Sequence, residues 1–274
     1  MATKTGKKIS DTYPNDLAIN QATGVGVDST TRNVHDGLGQ GTSISLSDDV
    51  FSVQPVNDDS AGAMVVQNQA GAVILQVDTS DSLVKVGHSR VNATTQYAHF
   101  FQNYVEVPAS AFSADTHYMI KFSDTIWPGT VASFALGTST TSSFNDTNPA
   151  SSLTISNTAM DVLCCYWYVM DNITIDEVKW FHAADTATGD STAAHLMAYT
   201  VDVANGSTSG DLSGGTVVAD GATITNAGYE QIYYQSMTIQ SADVDAGKVI
   251  LFTFASDTVN SDYSINATVK YHIR

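Results

Sequence analysis

Residues 63–87 read AMVVQNQAGAVILQVDTSDSLVKVG, and apolar side chains alternate with polar ones along much of this stretch. A period of two places Val73, Leu75 and Val77 on one face of an extended chain, and Gln76 and Asp78 on the other. Clusters of Asn, Gly, Asp and Ser interrupt the pattern, as they do between the strands of antiparallel sheets. The stretch therefore predicts three short strands, whose common apolar face includes Val73, Leu75, Val77, Val84 and Val86.

This predicted sheet is too small to have a hydrophobic core of its own. Three short strands leave an apolar face open unless other segments or other molecules cover it. The preceding residues add two more alternating runs, 43–47 and 50–53, but no helix signal. We therefore expect residues 36–90 to form a short β-rich region whose apolar side is covered by the rest of the chain or by other copies of it.

The composition of the whole chain favours β-structure. Thr, Ser, Val, Asp and Gly are abundant, while strong helix formers are scarce. From residue 91 onward, about ten further strand candidates are separated by turn-rich connections, which is typical of a sandwich or jelly roll. We predict an all-β protein with an extended N-terminal arm (1–35), a short β shaft (36–90) and a jelly-roll-like β-sandwich domain (91–274).

Several strand candidates of the C-terminal region carry specific expectations. Strict alternation over 263–273 predicts a strand with one solvated face. The nearly continuous apolar runs 162–170 and 249–254 predict central strands covered on both faces. In 173–181 the apolar phase slips at Asp176-Glu177, which predicts a β-bulge. Cys164 and Cys165 are neighbours on the first apolar run, so we expect two buried thiols and no disulfide between them.

The charge of the chain excludes nucleic acid as a partner. The formal net charge is −17 at pH 7, whereas nucleic-acid binding needs a basic surface. Basic residues cluster only near the start, where Lys4, Lys7 and Lys8 form with Tyr13 a candidate attachment arm for an acidic surface. An ordinary frayed terminus is the alternative. With no apolar run of membrane-spanning length and no secretory leader, we expect neither membrane insertion nor classical export.

Signals for catalysis and for metal binding are weak. The sequence has no G-x-S-x-G motif, and its seven histidines are scattered; we interpret His195 as a packing residue. Aspartate is so frequent that no carboxylate pair of a glycosidase can be singled out. The oxygen-rich loops 185–190 and 202–211 lack EF-hand spacing, which favours plain turns over calcium sites. We predict a non-enzymatic protein without catalytic residues, metal or cofactor.

One aromatic pair could contribute to recognition. Tyr233 and Tyr234 are adjacent in EQIYYQSMTIQ, residues 230–240. Successive side chains on a strand point to opposite faces, so one ring faces the core and the other faces solvent. An exposed aromatic patch for sugar or protein is one interpretation, and ordinary sandwich surface is the other.

Two parts of the chain resemble bacteriophage proteins. The segments VHDGLGQGTSISLSDD (34–49) and 63–87 resemble the shaft of trimeric fibre proteins of tailed bacteriophages. That pattern, L-x-V-D-T-x-x-x-x-V-x-V-G, is carried here by Leu75, Val77, Asp78, Thr79, Val84, Val86 and Gly87. Residues 173–215 and YSINATVKYHIR (263–274) are similar to C-terminal β domains of virion proteins of marine phages.

The resemblance implies a homotrimeric head fibre or capsid decoration protein on the virion surface, assembled in the host cytoplasm. The N-terminal arm would bind the major capsid protein or a tail component. A receptor-binding tail fibre or tail-associated protein that binds a host surface glycan is the first alternative, and a polysaccharide depolymerase is the second. The implied trimer contacts are Ile44, Leu46, Phe51, Val53, Val73, Leu75, Val77, Val84 and Val86.

Overall fold

The computed structural model describes most of the chain. The described residues are 17–19, 27–87, 89, 91–105, 114–122, 135–138, 149–154, 162–184, 189–202, 210–228, 230–257 and 263–274. The predicted attachment residues Lys4, Lys7, Lys8 and Tyr13 lie outside them.

The all-β prediction is confirmed, since 60% of the described residues are strand and only 2% are helical. The chain divides into two compact units, Met1–Thr94 and Thr95–Arg274. The sequence had suggested a division at residues 90 and 91. Among the described residues, no helix has the length and apolarity needed to cross a membrane.

The first unit contains two separate four-stranded antiparallel sheets, in which each strand pairs with the next along the chain. We call them sheet A, made of β1–β4, and sheet B, made of β5–β8. Their strands are β1 (Ala18–Ile19), β2 (Arg32–His35), β3 (Gly41–Leu46), β4 (Phe51–Val53), β5 (Met64–Gln67), β6 (Val73–Asp78), β7 (Leu83–Val86) and β8 (Val91–Asn92).

One tight turn is used in both sheets. In sheet A the Asp36 carboxylate accepts a hydrogen bond from the Gln40 backbone N–H at 2.8 Å. In sheet B the side-chain oxygen of Asn68 accepts one from the Ala72 N–H at 2.9 Å. Glycine occupies the third position after each, and both glycines have a φ of +82°. Side-chain capping by Asp or Asn, together with a left-handed glycine, closes the chain reversal in each sheet.

Within its described residues, the second unit is built from the remaining strands and one short 3-10 helix, Leu163–Cys165. The strands are β9 (Thr95–Val105), β10 (Thr116–Ile120), β11 (Ala135–Thr138), β12 (Trp167–Tyr168), β13 (Ile173–Ala184), β14 (Ser191–Val201), β15 (Leu212–Asp220), β16 (Ile224–Thr225), β17 (Gln231–Ser236), β18 (Thr238–Ile239), β19 (Asp243–Val244), β20 (Lys248–Ser256) and β21 (Tyr263–Ile273).

These strands form two antiparallel sheets. The eight-stranded sheet has the order β11-β10-β20-β14-β15-β18, with β12 beside β20 and β16 beside β14. The five-stranded sheet has the order β17-β13-β21-β9, with β19 also paired to β13. The main hydrophobic core contains buried side chains of both sheets, which is the arrangement of a β-sandwich. At its centre the ring of Trp180 on β13 lies 6.3 Å from that of Phe252 and 5.9 Å from that of Phe254, both on β20.

The eight-stranded sheet is covered on its other face as well. A second cluster of buried side chains there includes Met197, Tyr199 and Leu251. Residues Val249–Ala255 of β20 are therefore all buried, as the continuous apolar run predicted. The bulge expected in β13 is also present, because the register against β21 shifts between Ile175 and Glu177.

The interpretation of 162–170 as one central strand is wrong. Residues 163–165 form a 3-10 helix, and only Trp167 and Tyr168 are extended in a strand. Cys165 is buried, whereas Cys164 is only half-buried, so the expectation of two buried thiols holds for one of them. A run of apolar residues carries no periodicity, so hydropathy alone could not distinguish a strand from a helical turn here.

Strand β15 was missed by the sequence analysis because it contains two adjacent glycines. Gly215 lies directly over the buried ring of Tyr199 on β14. The Tyr199 hydroxyl donates a hydrogen bond to the Ala150 carbonyl at 2.9 Å, which holds the ring in place. Glycine in a strand often marks such a close approach.

Replacing Gly215 by alanine is therefore expected to destabilise the second unit by about 2 kcal/mol, the usual cost of overpacking. The new methyl carbon would lie 2.4 Å from a ring carbon of Tyr199 and 3.0 Å from the Ser151 Cα. Urea unfolding followed by tryptophan fluorescence measures the loss, since all three tryptophans belong to this unit. Gly228→Ala is the control, because its methyl group meets only the flexible side chain of Gln231. Equal stability of the two variants would contradict the prediction.

Candidate assembly surface

Sheet A has one serine-rich face and one face that is apolar apart from Arg32, the cross-strand partner of Leu46. In its register Ile44 is opposite Val53, and Leu46 is opposite Phe51, so these four side chains share one side. Ser45 and its cross-strand partner Ser52 lie on the other side. The apolar side is open, since Phe51 retains 62% of its surface exposed.

Sheet B has a larger apolar face of the same kind. One cross-strand row on it consists of Val66, Leu75, Val86 and Val91, and the next contains Met64, Val77 and Val84. Val73 shares the side of Leu75, since the two are separated by one residue of β6. Met64, Val66, Val84, Val86 and Val91 are each 37–41% exposed. The face is a continuous aliphatic surface without a hydrogen-bonding side chain in either row.

The face of sheet B opposite Leu75 carries the two buried polar side chains among this unit's described residues, beside aliphatic side chains that are exposed. Gln76 is buried there, and its side-chain N–H donates to the Ala61 carbonyl. Asp78 is 1% exposed and lies 2.7 Å from the Lys85 ammonium, which also approaches Asp81 at 3.4 Å. The best-buried side chains of sheet B are therefore polar, whereas a small sheet usually buries apolar ones.

The buried Asp78 and its partner Lys85 form a charged pair on this face. The hydrogen bond from the Lys85 ammonium lowers the pKa of the Asp78 carboxyl below its ordinary value. The same contact raises the pKa of Lys85. Both groups remain ionised at neutral pH, which ties β7 to the end of β6 across one side of sheet B. The opposite, aliphatic side is left to contact something else.

The described residues of the first unit form no hydrophobic interior. Among its described residues none of the apolar side chains is fully buried, and the two buried side chains are Gln76 and Asp78. Each Å² of apolar area removed from water contributes about 25 cal/mol to folding stability, so open apolar faces contribute little. An association that covers both apolar faces would restore it.

The nine predicted trimer contacts fall on these two apolar faces. Ile44, Leu46, Phe51 and Val53 lie together on sheet A. The other five, from Val73 to Val86, lie on one side of sheet B. The sequence analysis omitted Met64, Val66 and Val91, which share the sheet B face. Their signal was weak because Met64-Val65-Val66 is unbroken by polar residues and Val91 is isolated.

The histidine considered for catalysis is inside the second unit. His195 Nε2 lies 3.1 Å from Asp220 Oδ1, although without hydrogen-bond geometry. Its ring meets that of His117 edge to face at 4.9 Å, and both imidazoles are fully buried. Burial lowers the pKa of His195 to about 3, so the ring is neutral. A buried neutral imidazole in this position packs against its neighbours and does not face solvent.

Metal sites were also considered. Within the described residues no group of three or more His, Cys, Asp or Glu side chains could hold a metal ion. The oxygen-rich loops 185–190 and 202–211 lie partly outside the described ranges. No protein-family model matches the chain, and no curated protein matches its sequence.

Proposed function

We propose that this protein is a non-enzymatic structural component of a virus particle, which assembles as a homotrimer through the apolar faces of its first unit. The observation that carries the proposal is the open aliphatic face of sheet B, in a unit whose two buried side chains, among the described residues, are polar. A second and a third copy supply a surface of the same aliphatic chemistry. Closed symmetric association also removes open sheet edges, which otherwise promote aggregation.

The virion setting rests on the resemblance of residues 34–49 and 63–87 to the shaft of trimeric phage fibres. A short shaft of some fifty residues favours a head fibre or a capsid decoration protein over a long tail fibre. In this proposal Lys4, Lys7, Lys8 and Tyr13 attach the trimer to the major capsid protein or to a tail component. The first unit then makes the trimer, and the second unit projects at the virion surface.

The native mass of the purified chain tests the assembly. Light scattering at micromolar concentration is expected to give about 87 kDa, three times the 29.1 kDa of one chain. A mass of one chain would overturn the proposal, because the open faces would then need no partner. A mass of two chains would be consistent with association through the apolar faces but would exclude a fibre-type trimer.

Immunogold labelling tests the virion setting independently of the mass. Antibody against residues 95–274 is expected to label the outside of virus particles in a lysate from infected host cells. Label that stays in the soluble fraction, with bare particles, would contradict a virion component. Loss of particle labelling after deletion of residues 2–16, which leaves strands β1 and β2 in place, would support attachment through the arm.

A further inference from the structure

The outer face of the five-stranded sheet carries a row of side chains that crosses all four of its main strands. In register, Tyr234 on β17 is opposite Phe181 on β13, Phe181 is opposite Asn266 on β21, and Asn266 is opposite Phe101 on β9. The three rings are 52%, 39% and 38% exposed, in the order Tyr234, Phe181 and Phe101. The Tyr234 and Phe181 rings are 5.0 Å apart. Three aromatic rings and one amide thus lie in line on a solvated face.

The adjacent row provides hydrogen-bonding groups. It consists of Ser236, Lys179, Thr268 and His99, again one residue from each strand. His99 Nδ1 lies 3.2 Å from the Thr268 hydroxyl, and Lys179 Nζ lies 5.8 Å from the centre of the Tyr234 ring. Hydroxyl, imidazole and ammonium groups therefore border the aromatic row along its length.

The charges on this face cancel. Lys179 lies 2.9 Å from Glu177, and Lys270 is opposite Glu177 in the register of β13 and β21. Asp176 lies 2.9 Å from His272. Two lysines and two carboxylates thus balance on a chain whose net charge is −17. A polyanion, or a second copy of this acidic chain, gains no attraction from such a face, whereas an uncharged ligand is not repelled.

The chemistry differs from that of the assembly surface of the first unit. The aliphatic rows of sheet B have no interleaved hydrogen-bonding side chains, which suits another protein chain. The row on the five-stranded sheet offers flat rings and polar groups side by side. A pyranose sugar has this combination, with C–H groups on its faces and hydroxyls at its edge. Phe181 and Phe101 are two strand spacings apart, about 10 Å, so the row can lie under more than one sugar ring.

From these observations we infer that the outer face of the five-stranded sheet binds a neutral polysaccharide, with Tyr234, Phe181 and Phe101 stacking on sugar rings and Asn266 hydrogen-bonding between them. The inference goes beyond the proposed assembly, since each copy carries its own complete face. Tyr233, the neighbour of Tyr234, takes no part, because it stacks on His182 at 4.9 Å. The bound class is an uncharged hexose polymer.

Affinity electrophoresis tests the inference. The full chain is run through native gels that contain a soluble β-1,4-glucan, a β-1,3-glucan, an α-glucan, a mannan or a galactan, and through a sugar-free gel. Retardation is expected in at least one polysaccharide gel. Phe181→Ala and Tyr234→Ala are each expected to weaken that retardation about tenfold or more, as truncation of a central aromatic contact does.

Tyr168→Ala is the matched control, because Tyr168 is 50% exposed but belongs to a strand of the other sheet. It should migrate like the unsubstituted protein. Near-ultraviolet circular dichroism of each variant establishes that the fold is intact, and light scattering establishes its mass. The inference is overturned by equal migration in all six gels or by retardation that survives both substitutions. A change of mass in Phe181→Ala would assign the face to self-association instead.

Discussion

Replacing Leu75 by aspartate is expected to convert the assembled protein into single chains. Leu75 lies within the aliphatic row of sheet B, between Val66 and Val86. In a single chain the new carboxylate is half-exposed and is tolerated. In the proposed trimer three carboxylates lose their hydration without a basic partner. Each uncompensated buried charge costs about 3–5 kcal/mol, which weakens association by more than about a hundredfold for each subunit.

Ile74→Asp is the matched control for this substitution. Ile74 precedes Leu75 on the same strand, is 51% exposed and points to the opposite side of sheet B. The same chemical change there should leave the native mass unaltered. Light scattering of both variants at equal concentration makes the comparison, and far-ultraviolet circular dichroism reports on the strands. An assembled Leu75→Asp variant, or dissociation of both variants alike, would place the interface elsewhere.

The second unit is expected to lose about 4 kcal/mol of stability when the pH falls from 7.5 to 5. Burial lowers the pKa of His182 to about 4 and that of His195 to about 3, whereas an unfolded histidine titrates near 6.5. Below pH 6.5 the unfolded chain therefore binds protons that the folded chain does not, so the free energy of unfolding falls with pH. At pH 5 each of the two rings lowers the free energy of unfolding by about 2 kcal/mol.

The groups around these rings do not reverse the sign of the effect. His182 contacts Asn226, whose side-chain oxygen lies 3.0 Å from its Nε2, and aromatic rings. His195 faces His117, which lowers its pKa further, and Asp220. Burial raises the pKa of Asp220, so protonation of this carboxyl favours the folded chain as the pH falls and opposes the effect of the histidines. Ordinary aspartates titrate near 3.9, so most of the acidic surface keeps its charge at pH 5.

Urea unfolding at pH 7.5 and pH 5, followed by tryptophan fluorescence, measures this loss. His195→Gln removes one of the two histidine rings. It is expected to halve the difference in the free energy of unfolding between pH 7.5 and pH 5, whatever its effect on stability at pH 7.5. His99→Gln, on the exposed face of β9, should leave the difference unchanged. Equal stability of the unsubstituted protein at both pH values would contradict the lowered pKa values.

The fold class was predictable because the alternation of side chains is a local property. The continuous run at 249–254 and the phase slip at Asp176-Glu177 predicted a central strand and a bulge, and both are present. Strand β15 was not predictable, since Gly214 and Gly215 are unusual strand residues. Glycine is needed at position 215 because the ring of Tyr199, distant in sequence, lies against it. The 3-10 helix at 163–165 was missed because an unbroken apolar run has no period.

The candidate surfaces were predictable to different degrees. The alternation in β6 and β7 was enough to identify the apolar side of sheet B. The row from Tyr234 to Phe101 was not, because its members come from four strands and its order depends on the strand order β17-β13-β21-β9. Of that row the sequence pointed only to the pair Tyr233-Tyr234. Strand order is set by long-range packing, which no local pattern encodes.

The strand order also affects how the chain folds as it leaves the ribosome. Each strand of the first unit pairs with the strand synthesised just before or after it. Strand β9 opens the second unit, yet its partner is β21, and His99 meets Thr268 across 169 residues. The nascent chain can therefore pair the first unit as it emerges, whereas β9 and β13 must wait for β21. During that interval their uncovered edges are exposed to other nascent chains, and a chaperone that delays such contacts would raise the yield of folded protein.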